Sequence, residues 1–264
     1  MNTTVEKKEF DESTVQSTAD LVLCTALDIG EHLLKNGAEV SRVEDTIERI
    51  CFAYGAAYVE SFAITNLIAA SVRMKDGEYC EQMRHVQTSS INLYRIEQLN
   101  KISREICDKT IDLQTARAKI EANKRCTPYS EIVKILGQTV FVSGFTVFFG
   151  GGILDALASG VIALIVILLG KINAGFNKGL LKTATSSFVC GALSVLCVSI
   201  GFGVNLEIII IGTIMMLIPG LSLGTAIFDM FNGNLISGAI RFLQSLITTV
   251  VIALGYAAAL WLLM

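Results

Sequence analysis

Proline, histidine and, over half its length, charge are what this 264-residue sequence has little of. The only two histidines, His32 and His85, have no cysteine or carboxylate at ligand spacing, so no metal site is expected. Seven cysteines form no CxxC pair, and their odd number favours free thiols in a reducing compartment over a disulfide framework. There is no Walker loop, no GxSxG and no HExxH. No catalytic nucleophile–base constellation can be assembled from two isolated histidines, which argues against an enzyme and against a resident cofactor. No basic block points to nucleic acid, and a net charge of −3 says little about partners. The N-terminal MNTTVEKKEFDESTV lacks an apolar core, so a cleavable signal is not expected there.

The scarcity of charge is uneven. Residues 1–130 hold 36 of the 45 charged side chains and residues 131–264 hold nine. The expected organisation is a short disordered tail at 1–19, an α+β domain at 20–130 and a membrane domain at 131–264.

In the first domain, Val22, Ala26, Ile29 and Leu33 mark one face of a helix that stops at Asn36-Gly37. Val40, Val43, Ile47 and Ile50 mark a second helix, closed by Gly55, with Ser41 and Glu44 at capping-box spacing. Strands are expected at Ala57–Phe62, Leu67–Met74 and Glu78–Arg84, the last two joined across Asp76-Gly77. Helical periodicity returns from Leu93 to Ile106 and from Leu113 to Ile120. Glu39, Arg42 and Glu44 form a charged cluster at the first helix–helix turn, fit either for an internal salt bridge or for contact with the membrane domain or a ligand.

The membrane half reads as an α-helical bundle of five spans, at about 132–150, 153–170, 184–203, 207–228 and 235–262. Lys124, Arg125 and Lys134 precede the first span, and Lys171, Lys178 and Lys182 follow the second. The alternate loops carry no Lys or Arg, so the positive-inside rule puts the first domain in the cytoplasm and Met264 outside. The fourth segment is interrupted by Pro219-Gly220, and proline inside a helix removes a donor and clashes with the preceding turn. Transporters place substrate sites at such discontinuous spans. Asp229 and Arg241 are ionisable groups beside the break, and Asp155 lies near the start of the second span. Asn232, Asn234 and Gln244 offer further polar groups, and a solute pathway is the expected use of the set.

The runs GAEVSRVEDTIERICFAYG (Gly37–Gly55), NLYRIEQLNKISREI (Asn92–Ile106), FTVFFGGGILDALASG (Phe145–Gly160) and PGLSLGTAIFDMFNGNLISGAIR (Pro219–Arg241) together resemble the threonine/serine exporter (ThrE) family. Within it the layout is similar to the split, YjjP-like branch, in which a separate small multi-span protein (YjjB-like) supplies the remaining spans. The resemblance implies a secondary exporter of small polar metabolites, amino acids or dicarboxylates such as succinate, in the cytoplasmic membrane. It also implies either that partner subunit or a homo-oligomer. Asp229 and Arg241 match the family pattern, whereas Phe228 and Gln244 stand where an arginine and a glutamate are common.

Overall fold

The computed structural model describes residues 17–87, 91–125, 127–172 and 179–264. The expected tail falls outside these as far as residue 16, as do Lys178 and Cys126. The chain divides into two compact units, Met1–Arg125 and Cys126–Met264.

The first unit opens with α1 (Thr18–Lys35), whose N-cap Ser17 accepts a hydrogen bond from Asp20 N. Val22, Ala26, Ile29 and Leu33 are fully buried, as their spacing predicts. Gly37, at φ +85°, turns the chain into α2 (Val40–Ala53). The expected capping box is absent. Glu39 occupies the N-cap without a side-chain bond, so Ser41 and Glu44 are already inside the helix.

The sheet is an antiparallel meander of β1 (Ala56–Ile64), β2 (Leu67–Met74) and β3 (Tyr79–His85). Alternate β2 residues Ile68, Ala70, Val72 and Met74 face the core, and α1 packs against β2 and β3. The open edge of β1 is sealed by α2. Glu44 Oε1 accepts from Ala63 N at 2.8 Å, and Glu48 Oε1 accepts from Ser61 Oγ at 2.8 Å. A carboxylate aimed at an unpaired strand edge satisfies its donors and blocks edge pairing. Helices α3 (Leu93–Cys107), capped by Asn92, and α4 (Leu113–Arg125) complete the unit.

The second unit is helical. It contains α5 (Glu131–Phe148), α6 (Ile153–Ile172), α7 (Leu180–Ser199), α8 (Leu206–Ile214), α9 (Gly220–Phe231) and α10 (Leu235–Leu263). Four of these, α5, α6, α7 and α10, are long and apolar enough to cross a membrane. The fourth expected segment is two short helices.

Small residues set the helix crossings. A side chain at Gly160 would strike Ser143, one at Gly212 would strike Thr146, and one at Gly255 would strike Ser187. Hydroxyls also bridge helices: Thr146 Oγ1 of α5 donates to Ser159 Oγ of α6 at 2.7 Å, and Tyr256 Oη of α10 to Thr213 Oγ1 of α8 at 2.9 Å. At one end of the bundle Glu131 pairs with Lys134 and, at 2.7 Å, with Lys171.

Helices α7 and α10 run side by side, with Gly255 against Ser187 and Gly191 against Ala259. This register sets Leu180 level with Thr248 and leaves Leu235–Ile247 without α7 beside it. That is about 20 Å of helix at the usual rise, and α9 packs chiefly against this arm.

Candidate functional site

The arm is where the sequence concentrates its unusual features. Pro219 has no N–H to continue α8, and regular α-helix stops at Ile214 and resumes at Gly220. Tight turn bonds hold the break together: Leu217 N donates to Ile214 O at 2.8 Å and Gly220 N to Ile218 O at 2.9 Å. Leu223 N to Pro219 O starts α9. The N–H groups of Leu221 and Ser222, in the first turn of α9, have no backbone partner among the described residues. They form the positive end of that helix's dipole.

At the other end of α9, Asn232 closes the helix and Gly233 takes φ +87°. Asn234 N returns to Asp229 O at 2.9 Å, and α10 begins. The two helices can lie close because position 238 is glycine. A Cβ there would come within 2.7 Å of Ala226 O and 2.9 Å of Met230 N.

This approach brings Arg241 of α10 to Asp229 of α9, with Nη1 to Oδ2 at 3.3 Å. The aspartate side chain has no exposure and the arginine side chain 8%. Asp229 lies in the last turn of α9, where the helix dipole disfavours an anion. The guanidinium offsets both that field and the loss of water around the carboxylate.

The other expected residues divide. Asn232 and Gln244 are exposed and Asn234 is half-buried, all within about a turn of the pair along the chain. Asp155 has a different occupation. Its carboxylate accepts from Val204 N at 2.6 Å, Asn205 N at 3.0 Å, Asn205 Nδ2 at 3.3 Å and Gly152 N at 3.1 Å. It caps α6 from inside and ties the α5–α6 loop to the α7–α8 loop. In the first unit, Glu44 is engaged with the β1 edge, while Arg42 is exposed.

Sequence reasoning missed the buried stripe on α10 that frames Arg241. Ser237, Arg241 and Ser245 are 1%, 7% and 4% exposed, and their spacing of four places them on one helix face. That spacing was the available signal.

Residues 25–263 match the family described as "Putative threonine/serine exporter". The chain is 23% identical over 254 residues to the "Probable succinate transporter subunit YjjP" of Klebsiella aerogenes, covering 96% of each. It is also 23% identical over 246 residues to the "Probable threonine/serine exporter" of Mycobacterium tuberculosis, covering 90% of this chain and 46% of that one. No solved structure gives a significant match. With the match running from α1 to the end of α10, the chain belongs to the threonine/serine exporter family.

Proposed function

We propose that this chain is a subunit of a secondary exporter, carrying threonine- or serine-type amino acids or dicarboxylates such as succinate across the cytoplasmic membrane. The observation behind this reading is the buried Asp229–Arg241 pair on a hairpin that follows a broken span. A buried ion pair on an apolar hairpin is costly to desolvate, and ionisable groups held beside a span mark pathways. Every candidate cargo carries a carboxylate, the partner that a guanidinium binds best. Arg241 receives that carboxylate, and Asp229 neutralises Arg241 between transport events. A proton arriving at Asp229 frees the arginine for cargo. Pro219 and Gly220 keep the break open, the first-turn donors of α9 favour an anion nearby, and Asn232, Asn234 and Gln244 line the approach. Asp155 shapes the loops at the far end.

In this reading α8 and α9 together make one of five spans, beside α5, α6, α7 and α10. In the same reading the first unit and the Asp229–Asn234 turn are cytoplasmic and Met264 is outside; the lysines around α5, α6 and α7 support this through the positive-inside rule. The bundle leaves much surface to be covered: in α5 and α10 only 11% and 17% of the span residues are buried. A small multi-span (YjjB-like) partner covers the arm, or a second copy of the chain does. The relative in K. aerogenes is named as a subunit, and the M. tuberculosis relative has about as much chain again beyond the matched part. Of the charged cluster at the first helix–helix turn, Glu39 is left for coupling between the units, and Arg42 lines the α2–α3 groove.

The test is efflux of labelled threonine, serine and succinate from loaded cells or vesicles, comparing wild type with Arg241→Ala and Asp229→Asn. Both variants are expected to lose export of the physiological cargo. Unchanged export at normal protein levels removes the pair from the pathway. The alternative, a metabolite-sensing role for the soluble unit, draws on a groove between α2 and α3.

A further inference from the structure

Along α2, Arg42, Asp45 and Arg49 recur at three- and four-residue steps and share one helix face. Along α3, Ile96, Glu97, Asn100, Ser103 and Arg104 do the same. The two faces form the walls of one groove of about 680 Å³, within the size range of small-molecule sites. Ile96 and Ser103, 8% and 4% exposed, form its floor.

The charges in this groove are not mutually satisfied. Arg49 is held by Asp45 at 2.8 Å. Arg42, Arg104 and Glu97 line the same space, yet none of the three has an ion-pair partner among the described residues. Two guanidiniums and one carboxylate therefore present opposite charges to one cavity without neutralising each other. A purely anionic ligand satisfies the arginines and is repelled by Glu97; a purely cationic one meets the reverse problem. A ligand carrying a carboxylate and an ammonium on the same carbon satisfies both. Arginine binds carboxylates in a two-pronged manner. Asn100 supplies an amide beside it, and the Ile96–Ser103 floor suits a short, weakly polar side chain.

We infer that the α2–α3 groove of the soluble unit is a binding site for a free α-amino acid, its carboxylate on Arg42 and Arg104 and its ammonium on Glu97. The site lies within the first unit and does not depend on the transport path through the second. Loss of export and loss of groove binding are therefore separable.

The experiment is thermal unfolding of the full chain in detergent with L-threonine or L-serine added. A saturable rise in midpoint is expected. Arg42→Gln and Glu97→Gln, both at exposed positions that folding does not require, are each expected to weaken it about tenfold or more. Lys75→Gln, exposed in the first unit and outside the groove, is expected to keep it. N-acetylthreonine, without the ammonium, and threonine amide, without the carboxylate, are expected to give no rise. The inference is overturned by no shift with either amino acid, by a shift that survives both groove variants, or by one that Lys75→Gln loses as well. A shift with succinate that needs Arg42 but not Glu97 also overturns it, in favour of a dicarboxylate.

Discussion

Replacing Arg241 with leucine leaves the Asp229 carboxylate at zero exposure without the guanidinium 3.3 Å away. Removing one member of a buried ion pair costs about 3–5 kcal/mol, because the remaining charge stays desolvated. The dipole at the end of α9 adds about 0.3–1 kcal/mol against the stranded carboxylate. Asp229→Leu is expected to cost less, since Arg241 keeps 8% exposure and its long stem can carry the charge toward water. In the double variant no charge is stranded and two apolar side chains fill the space, so stability is expected at or above that of wild type. The assay is reversible unfolding in mixed micelles as the denaturing detergent fraction rises, for wild type, both single variants and the double. Export is measured on the same four proteins. Two destabilised singles, a recovered double and no export from the double would separate the structural cost of the pair from its use. An Arg241→Leu variant with the wild-type midpoint would refute the electrostatic argument, and wild-type export from the double would refute the site.

Three further perturbations follow from the geometry. Asp155→Ala removes the acceptor for four N–H groups across two loops; an unfolding cost on the order of 2–4 kcal/mol is expected, with Asp155→Asn intermediate. Glu44→Ala orphans the Ala63 amide at the edge of β1; a loss of about 1–3 kcal/mol is expected, read as faster hydrogen exchange at Ala63 than at central β2 amides. His32 is held below its ordinary pKa of 6.5, first by burial and then by Lys124. The folded state thus takes up its proton at lower pH than the unfolded state. Stability is complete above about pH 6.5 and declines as pH falls from there toward the depressed folded value. His32→Gln is expected to flatten that part of the midpoint-against-pH curve, and an unaltered curve would show that other groups govern it.

Much of this architecture was legible because it rests on local signals. The faces of α1 and α2, the Asp76-Gly77 turn and the Pro219 break each follow from a few adjacent residues. What escaped the sequence depends on partners distant along the chain. Glu44 and Ser41 had the spacing of a cap, but Glu44 serves a strand 19 residues away because α2 begins at Val40. Asp155 had the profile of a pathway carboxylate, yet its acceptor sites are filled by Gly152 and by Val204 and Asn205, some 50 residues on. Composition could not distinguish an aspartate that organises loops from one paired with a buried arginine. Asp229 differs because its partner lies only 12 positions away, across a turn whose Asn-Gly-Asn sequence is itself a local signal. Once Gly238 is read as the point where two helix backbones touch, the stripe at Ser237, Arg241 and Ser245 becomes the face that α9 must cover. The pairing of Asp229 with Arg241 is then a consequence of helix period and turn length.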